Sequence, residues 1–517
     1  MYESLLFKTI LADSQRLIER HLRYVSRLED NVRRIERRTG VRPHKNILIP
    51  PYWDAAEGFN PFHVRSHAAK ISRAIDIAIK RGEYKPFPAT LYKVPKGDGE
   101  MRDVSVFQVA DNAVSKMLFT KLNNKNAARM SGRCYAYRRD VTLHDAVLYI
   151  SSEFRTKGSI FVAEFDFSKF FDSISHDYIE DLLSQPLILI TELEKQIVRA
   201  FLKAPTIPYD KYDLTSSHPE NNRGIPQGTS ISLFLANAVA SPLDRKLERL
   251  GIGFARYADD TLIWSNKYDE VCRAVEELHE EADKMGVTIN LRKSEGISIL
   301  RDQSQSEKVI EFRSKPVVNF IGYGLRRDCI SIKESHVKKI KDRISYLIYS
   351  NLLEPIRKNK IIPARFAPNF DRDYLVTIGQ IRRYLYGDIT EASLGRYLSG
   401  VTPNIHYRGL MSFYPIITDE ALLKNLDGWL INTLALTIRL RGKELGVYSY
   451  TNLPTPHGLA TEKLLKLKAT TSRGKPIDLS IPSFWRIGRL MTKAAREHGP
   501  NMVANPLSGN YYSDEQI

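Results

Sequence analysis

The stretch FARYADDTLIW, residues 254–264, limits what this chain can fold into more than any other. Two apolar runs flank Tyr257-Ala258-Asp259-Asp260, so the pattern reads as two strands meeting at an acidic turn. In a second run, SIFVAEFDF, Phe161 to Phe165 is an apolar strand that ends in Asp166 and so delivers a carboxylate at a strand's exit. Side by side, these elements bring three carboxylates within a few ångströms. Mutual repulsion makes that costly unless cations intervene. Hard divalent ions with oxygen ligands suit the place: two Mg²⁺, with Mn²⁺ as a substitute. Two ions ~4 Å apart serve an in-line attack on phosphorus. In that scheme Asp166 and Asp259 bridge both ions and Asp260 supports from one side. Each piece alone is weak, because an Asp-Asp pair is usually a surface turn.

The order of the motifs strengthens the reading. After Asp166 come Gly224-Ile225-Pro226-Gln227-Gly228, then the acidic turn, then VTINLRKSEG with Lys293, then NFIGYGL. Upstream, LYKVPKGDGEMR sets Lys96 and Arg102 about a Gly97-Asp98-Gly99 turn, where cations can clamp a triphosphate. This succession, from about Thr90 to Leu325, resembles the reverse transcriptases. The resemblance implies an α+β right-hand polymerase with fingers, a palm built on an antiparallel sheet, and a thumb. It assigns Asp166, Asp259 and Asp260 to catalysis and metal binding, and Lys96, Arg102, Phe171, Gln227 and Lys293 to the nucleotide. Phe171 stands where that family has a bulky aromatic that blocks a ribose 2′-hydroxyl. The alternative is a core Phe beside Phe170, since only one of the two can face the site.

Length and charge agree with this. A chain of 517 residues exceeds one ordinary domain. We divide it into an N-terminal helical extension (1–88), fingers and palm (89–330), and a helical thumb and C-terminal region (331–517) with a flexible tail from about 503. Seventy-seven Lys and Arg against 60 Asp and Glu give +17, which suits a polyanion, with an anionic membrane surface as the rival partner. No apolar run approaches the ~20 residues that span a bilayer, and no signal peptide is visible. Three scattered cysteines suggest neither disulfides nor a zinc site. The expectation is a soluble, cytoplasmic, bacterial protein without a membrane partner.

Outside the central region, residues 14–38 read as an amphipathic helix with Arg16, Arg20, Arg23, Arg27, Arg34 and Arg38 on its polar face. That face is either solvated or contacts RNA or another copy. His63 and His67, four apart, read as structural or surface histidines. A further helix is expected at about 64–80.

Among reverse transcriptases, SKFFDSI and ANAVASPLD are similar to group II intron enzymes, but Leu233 stands where those usually have Pro. Retron enzymes share Tyr-Ala-Asp-Asp, yet their Val-Thr-Gly motif appears only as Val401-Thr402-Pro403. TSISLFLAN, RYADDTLIWS and a helical C-terminus with FYPIITDEALLKNLDGWL look most like the bacterial defence-associated, abortive-infection group. That resemblance implies antiphage DNA synthesis from dNTPs, an RNA template, a noncoding RNA partner, product DNA and self-association. It also leaves open template-independent or protein-primed synthesis, with Tyr511 or Tyr512 in the final NPLSGNYYSDEQI as candidate primers. From another class, the chain could be an RNA-binding splicing or scaffold protein with an unused polymerase fold.

Overall fold

The computed structural model describes residues 2–95, 101–155, 158–290, 294, 296–301, 313–366, 370–401, 408–450, 452–470, 474 and 476–503. Lys96, Lys293, Tyr511 and Tyr512 lie outside these residues. The chain divides into two compact units, one comprising Met1–Arg27 with Asn46–Pro316, the other Leu28–Lys45 with Val317–Ile517.

Helix α1 (Tyr2–Thr39) begins well before residue 14. Leu6, Ile10, Ser14 and Ile18 follow one another at steps of four and are buried, so the buried face continues towards the N-terminus with Ser14 as a polar member. Helix α2 (Pro61–Arg81) starts where Asn60 accepts from the N–H groups of Phe62 and His63 and ends at Gly82 in the left-handed region. Next come the strands β1 (Ala89–Pro95) and β2 (Met101–Val106), antiparallel from Thr90↔Val106 to Pro95↔Met101. Helices α3 (Val109–Asn126) and α4 (Leu143–Phe154) follow, the latter opened by a Thr142–Asp145 capping box.

The site rests on the elements after these. Strands β3 (Ile160–Phe165) and β4 (Phe167–Ser168) are succeeded by the short helix α5 (Phe170–Ser173), α6 (His176–Ser184) and α7 (Glu192–Lys203). Strand β5 (Thr206–Pro208) runs parallel to β1 and completes a three-stranded sheet in the order β2-β1-β5. Helix α8 (Ser230–Arg249) leads into β6 (Gly253–Tyr257), β7 (Asp260–Ser265) and α9 (Tyr268–Met285). Short strands β8 (Thr288–Ile289), β9 (Ile297–Leu300) and β10 (Ser314–Lys315) end this unit. The main sheet has the order β10-β9-β3-β7-β6, with β3 in the middle. Apart from β10 its strands are mostly buried, and Phe165, Phe254 and Ile263 belong to one core with Phe167 of β4 and residues of α3, α8 and α9.

In the second unit, β11 (Val318–Phe320), β12 (Tyr323–Leu325) and β13 (Ile330–Ile332) form an antiparallel meander that contains the expected NFIGYGL hairpin. Helices α10 (Glu334–Leu352), α11 (Glu354–Arg357), α12 (Arg372–Tyr386), α13 (Glu391–Leu398) and α14 (Glu420–Val447) follow. After α15 (Thr461–Leu464) a small hairpin of β14 (Lys468–Thr470) and β15 (Pro476–Asp478) interrupts the helices before α16 (Phe484–His498) and α17 (Pro500–Val503). This unit also buries an ionic knot. Arg441 on α14 meets Asp371, the N-cap of α12, at 2.7 Å and Asp373 at 2.8 Å, and it donates to the carbonyl of Leu352. His457 lies 3.2 Å from the same Asp371 carboxylate. The α+β class is as expected, and among the described residues no helix is long and apolar enough to cross a membrane.

Candidate functional site

The acidic turn forms as the alternation of FARYADDTLIW demands. Tyr257 pairs with Asp260 across β6 and β7, leaving Ala258 and Asp259 as a two-residue loop. Ala258 has a φ of +58°, and Asp259 does not share the positive sign, the pattern of a hairpin loop whose first central position favours glycine. A Cβ in that region is strained.

Strand β3 lies against β7, with Phe165 opposite Thr261. Asp166 is one step beyond that pair, so its backbone arrives level with Asp260. Asp166 and Asp259 are half-buried, and Asp260 is exposed. Asn290 holds Asp166 from the other side: its N–H donates to the Asp166 carbonyl at 2.8 Å, and its side-chain amide reaches Oδ2 at 3.2 Å. The N–H of Asp166 in turn reaches the Ser294 hydroxyl at 3.4 Å. The register thus gathers the three acids at one end of the sheet's strands, beyond β3 and at the β6–β7 turn. Their carboxylates do not form a closed ligand cage: among the described residues no group of three or more His, Cys, Asp or Glu is arranged to hold a metal ion.

The GIPQG loop is shaped by close approaches. A Cβ on Gly224 would meet the carbonyl oxygen of Asp172 at 2.8 Å, and one on Gly228 the carbonyl oxygen of Ser105 at 2.6 Å. Both glycines also have positive φ, +82° and +118°. Held this closely, Gln227 accepts the Ser105 N–H at its carbonyl (2.6 Å) and donates from its side chain to Asp172 Oδ1 (3.0 Å). The loop therefore ties β2 to α5. On α5, Phe170 is only 2% exposed and stacks on Phe167, whereas Phe171 is half-buried at the rim of the core. Of the two candidate aromatics, Phe171 is the one with an accessible edge.

Arg102 is exposed on β2. Its charge is felt by Tyr137, whose phenol burial pushes up to about 12, with Tyr257 and Asp259 adding to the rise and Arg102 opposing it. Tyr137 also packs on Tyr257, with ring centroids 6.2 Å apart. Arg102, Tyr137, Tyr257 and Asp259 therefore share one electrostatic neighbourhood. His63 and His67 stack on each other at 4.2 Å, with His63 3.3 Å from Glu57, away from this set of contacts.

Sequence reasoning did not single out the residue beneath the acidic turn. Arg256 is fully buried, and its guanidinium is doubly bonded to Asp244 on α8 at 2.7 and 2.6 Å. It also donates to the carbonyl of Ala258 at 3.0 Å, to Cys134 Sγ at 3.1 Å and to Asn237 Oδ1 at 3.5 Å. Burial works against both charges, and the mutual attraction of Arg256 and Asp244 keeps the arginine's pKa above its ordinary value. The available signal was an arginine at a position of β6 that alternation turns to the same side as Phe254.

Residues 94–325 match the family model for reverse transcriptase (RNA-dependent DNA polymerase). These residues form a reverse-transcriptase domain. The match takes in the sheet with its acidic turn and strand β2, and the α+β class is that of a right-hand polymerase. Curated proteins similar to the chain include a putative COX1/OXI3 intron 1 protein of Saccharomyces cerevisiae, 29% identical over 32% of this chain and 19% of that protein. Protein YkfC of Escherichia coli K12 is 24% identical over 41% of this chain and 54% of its own length. The chain thus spans about half or less of these relatives. Among solved structures, an apo telomerase from Candida tropicalis superposes with a TM-score of 0.38 at 12% identity, over 65% of this chain and 66% of that one.

Proposed function

We propose that the chain is an RNA-directed DNA polymerase that adds deoxynucleotides at the edge formed by Asp166, Asp259 and Asp260. The observation that carries this is the strand register that sets Asp166 level with the β6–β7 acidic turn inside a reverse-transcriptase domain.

The donors at this edge are carboxylate oxygens, with the Asn290 amide beside them, and that chemistry fits a hard divalent cation such as Mg²⁺ or Mn²⁺. When bound, such ions activate the attacking hydroxyl and steady the departing pyrophosphate. Asp166, Asp259 and Asp260 are the residues that would hold them. The chain's own groups do the rest. Asn290 fixes the Asp166 backbone, Gln227 and Asp172 shape the floor beside Phe171, and the edge of Phe171 crowds the sugar at C2′. Arg102 supplies positive charge on the side from which a triphosphate arrives.

The finer reading is antiphage defence with a dedicated noncoding RNA, and it is supported by the TSISLFLAN and RYADDTLIWS stretches and the helical C-terminus. The net charge of +17 favours a nucleic-acid partner. The test is dNTP incorporation by purified protein with and without its co-purifying RNA, beside the double variant Asp259→Ala/Asp260→Ala. Wild type should incorporate and the double variant should fall at least ~1,000-fold, with RNA binding retained. Equal incorporation by both proteins would remove the site. Sequencing the co-purifying nucleic acid decides whether one RNA species dominates, as the defence reading requires.

A further inference from the structure

A charge in the middle of a core strand is an anomaly. The face of β6 that carries Phe254 buries apolar residues, and a methionine or leucine in place of Arg256 would avoid desolvating an ion pair. Chains tend to break such local rules where geometry matters more than packing.

Arg256 uses all its donors. A guanidinium has five N–H groups, and here five acceptors surround it: both Asp244 oxygens, Cys134 Sγ, Asn237 Oδ1 and the Ala258 carbonyl. Four of these belong to the frame. Asp244 and Asn237 are both on α8, and Asn237 also donates to the Ala136 carbonyl at 2.7 Å. The backbone of Arg256 is gripped too, by the Arg133 carbonyl at 3.0 Å and the Tyr135 N–H at 2.9 Å. The fifth acceptor is the one that moves with the acidic turn. Ala258 is 4% exposed and sits at φ +58°, a conformation an alanine leaves readily if nothing holds its carbonyl. Release of that carbonyl turns the next peptide, and with it the direction of Asp259.

We propose that Arg256 is a positioning residue: anchored by Asp244, it holds the Ala258 carbonyl so that the strained turn aims Asp259 at the edge shared with Asp166. This rests on the polymerase reading of the same site.

The clamp is tested with Arg256→Lys, with the charge-free pair Arg256→Met/Asp244→Leu, and with Arg256→Lys/Ala258→Gly. Each is measured for melting temperature, Mn²⁺ affinity by electron paramagnetic resonance without nucleotide, and kcat and KM for dNTP. The charge-free pair should melt within a few degrees of wild type, since a buried ion pair exchanged for apolar side chains is often neutral. Its kcat should fall about 100-fold, the scale of an ångström-sized misplacement, with KM changed less than ~3-fold and Mn²⁺ bound about 10-fold more weakly. Glycine at 258 accepts a positive φ without strain, so Arg256→Lys/Ala258→Gly should recover kcat relative to Arg256→Lys alone. A folded charge-free pair with wild-type kcat and Mn²⁺ affinity overturns the proposal. If that pair does not fold, equal kcat in the two lysine variants and wild type overturns it. Wild type that incorporates no dNTP on any template counts against the polymerase reading instead, and the Mn²⁺ comparison then still decides the positioning role.

Discussion

Each unit buries an aspartate, Asp111 in the first and Asp371 in the second, and the two carboxyls are pushed in opposite directions. In the first unit Asp111, at the start of α3, receives the Tyr84 hydroxyl at 2.7 Å and the Phe87 N–H at 3.1 Å, both neutral donors. Burial outweighs these bonds and raises its pKa to about 7. In the second unit Asp371 is as deeply buried, and burial pushes it the same way. There the His457 hydrogen bond and the Arg441 guanidinium win, and the carboxyl is held at about 2. Between these two carboxyls depth is shared and the charge of the donors makes the difference; at Asp244 burial still raises the pKa although Arg256 opposes it.

The sharpest way to break this contrast is to remove the cation. Arg441→Met leaves Asp371 buried with His457 but no guanidinium, and Asp373 with Arg365 alone, and should cost the second unit about 3–5 kcal/mol, read as weaker hydrogen-exchange protection in α12 and α14. Little change in protection would mean that the knot is already hydrated.

The pH response should differ in sign. Asp111 has a folded pKa above its unfolded value of ~3.9, so its contribution is full below about pH 4 and is lost as pH rises through 7. Asp371 has a folded pKa below that value, so its contribution is present above about pH 4 and lost as pH falls through 2. Each is worth a few kcal/mol at most. Hydrogen exchange between pH 5 and 8 should show the α3 region loosening as pH rises, and Asp111→Asn should flatten that slope. The same slope in the Asn variant would assign it to another group.

Chemistry should track the first unit alone. Phe171→Ala should raise ribonucleotide incorporation relative to deoxynucleotide by ten- to a hundredfold, as when ~1–3 kcal/mol of steric discrimination is removed. Protection in the second unit should stay unchanged. A shift produced by Phe170→Ala instead would reverse the choice of aromatic. The smallest effect concerns α1, where Arg16, Arg20, Arg23 and Arg27 are all exposed. Neutralising the four should flatten the salt dependence of RNA binding by at most ~0.7 for each phosphate that no longer meets an arginine. An unchanged slope returns that face to solvent.

The sequence made the palm legible because its strands are short, apolar and punctuated by acids, and a hairpin with Asp259 and Asp260 at its turn has few alternatives. It made α1 legible only from residue 14, since Ser14 breaks the apolar stripe although it is buried with Ile10 and Ile18. The β14–β15 hairpin was missed because Lys468–Thr470 and Pro476–Asp478 carry too few apolar residues to show alternation. Arg256 was missed because a pattern of spacings says which side a residue faces, but not that an arginine there has found Asp244 on helix α8. The same limit applies to Asn290, whose role depends on β8 lying beside β4.

The tie between Gln227 and Ser105 has a mechanical side. Because the Gln227 carbonyl takes the Ser105 N–H while its amide holds Asp172, the base of the β1–β2 hairpin and the helical turn bearing Phe171 hang on one strut. Any swing of that hairpin must either carry the Phe171 turn with it or leave a main-chain donor without its acceptor. The hairpin and the Phe171 turn are therefore geared, and the gear is a single glutamine between Pro226 and Gly228.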